Sequence, residues 1–475
     1  MSPVTRRSTI ASAAALPVAL SLPAGAGLAA PPVQPAPEDR AKLAGDRPLF
    51  GATTWTLPNG LRVVHAESRR VPVVSHYLFY AAGAGEDPAG RSGTAHFLEH
   101  MMFKGSRNVP PGQLSLVVAR EGGQDNAFTS RDVTAYHQTV EASRLPLVMR
   151  MEADRFAGPL IPPETVEPER AVVLEERRQR TDSNPRARFW EEFEAALWGR
   201  QHWRGRPIIG WEDEIRAISR DDLLDFYGRR YAPGNAVLVV TGDARPERVR
   251  ALAEEYYGGV PSRAVTPRDR AAPAATAAEP RLIRHDPGVR EASFLRAAMA
   301  PSLTWGDRDQ AWALEVLAHL LGGGPGSRLH QALVETSLCV GASASYDSDS
   351  VGVTAFLLSA LPQPGVTPEK VEAAIDAVVA RLLQEGPTEA ELTRAQRQLT
   401  AGALLALDGI GAAPRMLGST LASGLPLEVV EFWPRHLRAV TLAQVTEAAR
   451  AVLGQAPATT GWLLPEGVAA PERRI

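Results

Sequence analysis

Two short runs in which apolar and polar residues alternate, Thr54-Trp55-Thr56-Leu57 and Leu61-Arg62-Val63-Val64-His65, flank Asn59-Gly60. That arrangement predicts a β-hairpin, because Asn-Gly accepts the positive backbone angles of a tight turn. Residues 73–80 predict a third strand, and the β-branched and aromatic content of 128–140 predicts a strand pair. Apolar residues recur at helical spacing over 93–103, 114–121, 164–180, 185–197 and 221–231. Pro233-Gly234-Asn235 then turns the chain into an apolar run, 236–242, that reads as a buried strand. After a Pro/Ala-rich connector at 261–281 the order of elements returns in weaker form: strand 292–300, helix 307–321, a Gly-rich turn, a helix, strands and two further helical stretches. The endings also correspond, since 442–453 followed by Thr459-Thr460-Gly461-Trp462-Leu463-Leu464 echoes 221–231 followed by 236–241. Runs of strands followed by runs of helices predict the α+β class. The expected organisation is two tandem, similar α+β domains at 51–260 and 282–475, each a mostly antiparallel sheet packed with helices.

The N-terminus does not fit this grammar. Residues 1–31 carry Arg6 and Arg7, an Ala/Leu/Val-rich stretch and small residues ahead of a Pro-rich run, the layout of a secretory signal cleaved near Ala29 or Ala30. Pro17, Pro23, Gly25 and Gly27 suit a cleaved peptide better than a permanent span. The expectation is a signal peptide at 1–30, export to the periplasm, and a flexible lead-in over 31–50. Thr5-Arg6-Arg7-Ser8 also resembles a twin-arginine export signal, although Thr9-Ile10-Ala11 follows that pattern only loosely. No other segment approaches 18 uninterrupted apolar residues, so no stable membrane insertion is expected once the signal is removed.

Composition narrows the chemistry. At 475 residues the chain has room for several domains. With 51 Lys+Arg against 54 Asp+Glu the formal charge is -3, and loss of Arg6 and Arg7 with the signal moves it to -5. There is no cationic excess to neutralise phosphates, so no nucleic-acid partner is expected. The single cysteine, Cys339, excludes an intrachain disulfide and cysteine-rich metal sites. It reads as a small buried hydrophobe. A bound metal would therefore be held by histidines and carboxylates.

His96-Phe97-Leu98-Glu99-His100 lies in one of the helical runs. Residues four apart share a helix face, so the two imidazoles can converge on one ion, with Glu99 bordering the same face. With ten histidines in the chain, chance supplies only about 0.02 copies of H-x-x-E-H, which favours a metal site over two packed or solvated histidines. Hydrolytic zinc needs a third protein ligand and an open position for water. The helix carrying Glu169, Glu175 and Glu176 offers three candidates; Glu169 and Glu176 are seven apart, about 700° of rotation, and share a face, whereas Glu175 points elsewhere. The plainer alternative is that these acids solvate a charged helix face.

The flanking residues make the chain resemble the pitrilysin/insulinase family of zinc endopeptidases, in particular its processing-peptidase-like members, over most of residues 50–475. The blocks that carry the resemblance are Gly93-Thr-Ala-His-Phe-Leu-Glu-His-Met-Met-Phe-Lys-Gly105, Asn126-Ala-Phe-Thr-Ser130, Glu169-Arg170, Arg206-Pro-Ile-Ile-Gly210 and the run from Tyr231 to Asp243. The family has H-x-x-E-H followed some 76 residues later by a glutamate ligand. Here His100 and Glu176 stand at that spacing. The resemblance implies that His96, His100 and Glu176 bind one zinc ion per chain, that Glu99 is the general base and that Glu169 is a supporting catalytic acid. It further implies that Asn126, Ala127 and Phe128 lie on an edge strand to which an extended peptide substrate adds.

Gly322-Gly-Gly-Pro-Gly-Ser-Arg328 lacks the lysine of a phosphate loop; it is either a chamber-facing turn, as in the family, or a helix stop. One departure stands out. Many family members carry an Arg and, seven residues on, a Tyr in the second half. The corresponding stretch here, Leu333 to Gly341, has neither, and Tyr346 is at the wrong spacing. The expectation is a zinc endopeptidase paired in a heterodimer with a related subunit that supplies Arg and Tyr, with a homodimer as fallback. The alternatives are a non-catalytic structural or assembly subunit of the same fold and a subunit that holds peptides without cutting them.

Overall fold

A computed structural model of the chain describes residues 45–271, 280–406 and 409–471. The expected signal, residues 31–44 of the lead-in and residues 272–279 of the connector lie outside them. In the first half β1 (Thr53–Thr56) and β2 (Arg62–Glu67) form the predicted hairpin, with Thr56 opposite Arg62. Gly60 turns it at φ +94°, and the Asn59 amide donates to the Tyr257 and Val260 carbonyls. There follow β3 (Val73–Tyr80), α1 (Thr94–Met101), α2 (Gln113–Arg120), β4 (Gln124–Thr129), β5 (Thr134–Glu141), α3 (Leu145–Ala157), α4 (Pro163–Arg177), α5 (Pro185–Trp198), α6 (Arg220–Arg230), β6 (Ala236–Gly242) and α7 (Pro246–Tyr257). The six strands run β1-β2-β6-β3-β5-β4; β2 and β6 are parallel and every other pair is antiparallel.

The second half contains β7 (Arg281–His285), β8 (Ser293–Ala300), α8 (Gln310–Gly322), β9 (Cys339–Tyr346), β10 (Thr354–Pro362), α9 (Pro368–Glu385), α10 (Glu389–Ala406), α11 (Ala412–Ala422), α12 (Leu442–Ala449) and β11 (Ala458–Leu464). Its sheet order is β7-β11-β8-β10-β9, with β7 and β11 parallel and the rest antiparallel. Read against β2-β6-β3-β5-β4, the two orders coincide strand for strand. The repeat that is faint in sequence is an identity of topology, and β6 and β11, the echoing endings, are equivalent strands.

One face of each sheet is covered by helices of its own half: Phe97, Leu98, Tyr136 and Leu238 lie in the first core, and Leu314, Leu317, Phe356 and Trp462 in the second. The opposite faces are covered by exchange. Leu417 and Leu421 of α11 bury themselves with Phe79, Val237 and Val239 of the first sheet, and Gly418 approaches the Phe79 ring so closely that a Cβ there would overlap it. In return Phe189 and Phe193 of α5 lie over Gly461 of β11, where a Cβ would meet their rings at 2.9 and 2.6 Å. Each fully buried side chain of this kind contributes roughly 1.5–3 kcal/mol.

Three expectations need correction. The lead-in is not loose as far as residue 50: the Glu431 carboxylate, 3% exposed, needs donors and takes the N–H groups of Phe50, Gly51 and Ala52 at 2.8, 3.2 and 2.6 Å. Leu49 is buried beside it. The described part of the connector, 261–271, is irregular but anchored, since Arg270 pairs with Glu86 at 2.7 Å and Asp132 at 2.9 Å, and Arg281 already belongs to β7. Finally, the strand pair begins at Gln124, because the polar residues at the start of β4 occupy an edge. Among the described residues no helix is long and apolar enough to cross a membrane.

Candidate metal centre

Helix α1 is placed by glycines and a buried acid. It starts from Gly93 at φ +90°, where a Cβ would stand 2.5 Å from the Ile209 carbonyl oxygen. Gly210 crosses Ser92 and Gly93 equally closely, so the Arg206-to-Gly210 block closes on the start of the helix. The Asp87 carboxylate accepts the N–H groups of Gly93 and Ala95 at 2.7 and 2.8 Å, satisfying two donors the helix leaves unpaired. Burial pushes Asp87 up to about 7, against the pull of Arg206 and those two hydrogen bonds. Every residue of α1 is buried.

On this helix His96 and His100 stack edge-on with ring centroids 4.8 Å apart. Glu176, from α4, brings Oε2 to 3.2 Å from His100 Nε2 and 3.8 Å from His96 Nε2. Two ligands of one tetrahedral zinc stand about 3.4 Å apart, so this spacing fits the ion. Among the described residues His96, His100 and Glu176 form the cluster able to hold a metal, their ligand atoms within 4.8 Å of one another. Glu169 accepts from His100 Nδ1 at 2.9 Å and pairs with Lys104, the outer support that fixes a ligating imidazole. Glu175 turns away, its carboxylate on Arg178 and Gln179 at 2.8 and 2.6 Å. Arg180, in the π-helical turn that follows α4, sits 2.5 Å from Glu176 Oε1.

The electrostatics suit a divalent cation. Burial, reinforced by His100, pushes His96 down to about 3, so its ring is neutral and ready to donate a lone pair. Burial would also lower His100, but Glu169 and Glu176 hold it up at about 9. Burial would raise Glu176, and the two histidines with Arg180 reverse this, holding it at about 2. Two carboxylates thus demand positive charge at His100; a proton meets the demand, and a metal ion would displace that proton. Glu99, 1% exposed, is pushed up to about 7 by burial although Thr129 donates to its Oε2 at 2.5 Å.

Residues 62–210 match the family model described as insulinase, peptidase family M16, and residues 217–399 that described as the peptidase M16 inactive domain. The chain is 31% identical over 414 residues to an uncharacterised zinc protease of Mycobacterium leprae, across 85% of this chain and 90% of that one. It belongs to peptidase family M16. This M16 chain is also 29% identical over 348 residues to the zinc protease PqqE of Helicobacter pylori, across 71% of this chain and 76% of that one. A solved protease structure from Helicobacter pylori superimposes with a TM-score of 0.81 at 25% identity, covering 88% of this chain and 100% of that chain.

Asn126, Ala127 and Phe128 of the M16 chain lie on β4, one of the two edge strands of the first sheet. Ala127 and Thr129 point toward the helix layer that holds the metal residues, whereas Phe128 faces the second half. In the second half Val334 ends a π-helical turn and Gly341 lies on β9. The Tyr346 hydroxyl is donated to the Pro301 carbonyl at 2.6 Å, which ties it to its own half. The Gly-rich run is a helix stop: α8 ends at Gly322, which packs directly on Ala344, and Arg328 is paired with Glu391 at 2.7 Å. Cys339 is buried and pushed up to about 11, an inert thiol. Lys104, Thr129 and Arg180 contact Glu169, Glu99 and Glu176 and were assigned no role by sequence; the first two sit inside the blocks that carry the family resemblance.

Proposed function

We propose that the chain is a zinc-dependent endopeptidase acting on extended or unfolded peptides. The observation that carries this reading is the convergence of His96, His100 and Glu176 beside a buried carboxylate, Glu99, that is not one of the three. When bound, zinc would lower the pKa of a water and polarise the scissile carbonyl. His96, His100 and Glu176 would hold it, while Glu169 and Lys104 fix the His100 ring. Thr129 occupies Glu99 Oε2 and orients the carboxylate. Glu99 takes the proton of the attacking water and passes it to the leaving amine, and a pKa near neutrality suits both steps. The substrate backbone adds alongside β4 at Asn126, Ala127 and Phe128, which requires an unfolded segment.

The reading includes export to the periplasm on the signal at 1–30. It also includes a related subunit that supplies the missing Arg and Tyr, donors for charge developing on the carbonyl oxygen; a homodimer would leave them missing. A non-catalytic role draws support from the second half alone, where that pair is missing. The deciding experiment is zinc analysis and cleavage of an unfolded polypeptide. Glu99→Gln is expected to keep its zinc and lose turnover at least a thousandfold, whereas His96→Ala, His100→Ala and Glu176→Gln lose zinc. A wild-type chain that binds zinc yet cleaves nothing, alone or with a similar motif-free protein of the same organism, would leave the non-catalytic reading standing.

A further inference from the structure

The β4 edge presents two faces, and only one belongs to the metal. An extended strand paired to β4 would place alternate side chains toward Thr129 and the metal layer; the others would stand beside Phe128, about 4.5–5.5 Å from it between Cβ atoms. Over Phe128 lies a residue of the other half. The Arg415 guanidinium, reaching from α11, sits 4.6 Å from the Phe128 ring centroid. Phe128 is braced from below by Phe79, edge-on at 6.0 Å, and by His137 at 6.3 Å, which itself stacks on Tyr77 at 4.5 Å. Burial first, and Arg415 second, push His137 down to about 4, so this platform carries no competing positive charge near neutral pH.

Arg415 is exposed, and among the described residues no carboxylate forms an ion pair with it, whereas Arg131 in the β4–β5 turn and Arg270, which reaches that turn, are each matched to an acid. A cation held against an aromatic face keeps its planar edge available for a carboxylate. We infer that Arg415 is a specificity-determining residue that reads a carboxylate on the bound peptide at the position beside Phe128, so that substrates acidic at that position are preferred. The inference rests on the proposed addition of substrate to β4. It assigns to the second half a direct contact with substrate that does not involve the missing Arg and Tyr.

The test uses the full zinc-loaded chain and a peptide series in which Glu, Gln or Lys is moved one position at a time past the cleaved bond, with cleavage sites read by mass spectrometry. One position is expected to favour Glu over Gln by about tenfold in kcat/KM and to disfavour Lys. Arg415→Glu should reverse the order at that position, Arg415→Lys should retain it, and zinc content should match wild type in both. Amidated and free C-termini separate an internal acidic side chain from a terminal carboxylate as the group read. No positional preference, or a Glu preference that survives Arg415→Glu, overturns the inference. If wild type cleaves nothing, the affinity of fluorescent Glu and Lys peptides for the zinc-loaded chain decides separately. An Arg415-dependent preference for Glu would then stand although the peptidase reading fails; equal affinities would overturn it.

Discussion

Glu169 shows how a carboxylate beside a candidate metal cluster can have both oxygens taken up by its neighbours. Its two oxygens go to His100 Nδ1 and Lys104, which leaves neither oxygen free toward the cluster and fits a positioning role under the proposed reading. Glu169→Gln should weaken zinc binding by about 10- to 100-fold, measured by competition with a chromophoric chelator. With zinc in excess most of kcat should return, which would fail if Glu169 handled a proton of the substrate. The convergence of His96, His100 and Glu176 was legible because the two histidines sit one helical turn apart and because the 76-residue spacing of the family resemblance singled out Glu176. Thr129 was not, since its approach to Glu99 depends on β4 passing under α1. Glu315 offers a pH probe remote from the metal. It is buried under the Ser348 hydroxyl at 3.0 Å and the Trp433 indole at 2.9 Å, and burial pushes it up to about 7 from 4.5. The folded state therefore holds this proton where the unfolded chain has released it. Stability from this group is complete below about 4.5 and lost as pH rises through 7, by about 3 kcal/mol in all. Glu315→Gln should raise the melting temperature at pH 8 and change it little at pH 4.5.

Among the elements, α5 and α11 carry most of what the sequence did not disclose. Their apolar positions predict that each helix packs on something, and periodicity alone does not say on which sheet. The partner is set by a long-range fit, Gly418 against Phe79 in one case and Gly461 beneath Phe189 and Phe193 in the other. Gly418→Val should cost about 2 kcal/mol or more by overpacking, read as a lower urea midpoint, and Phe79→Leu should restore part of it. If Gly418→Val were neutral, α11 would not be closely seated. The strands, in contrast, were readable wherever a β-branched run was bounded by turn residues, as in β3 and β6. They were misjudged at β4, whose polar residues fit an edge.

At the scale of the whole molecule the two sheets cannot be made independent. Residues 45–271 alone would expose Phe79, Val237 and Val239, and residues 280–471 alone would uncover Gly461 and its neighbours. Each half expressed separately should aggregate or bind a hydrophobic dye, whereas coexpression should return a soluble pair with the zinc affinity of the intact chain. Recovery of a folded, monomeric first half would show that the exchange is dispensable. The exchanged helices are equivalents, since α5 falls between β5 and β6 as α11 falls between β10 and β11. A dimer of one ancestral half, related by a twofold axis, would trade this helix between protomers as a swapped arm. Joined in one polypeptide, the arms become mutual latches: the halves cannot part without lifting α11 off Phe79 and α5 off Gly461 together, so separating them costs two buried seams at once.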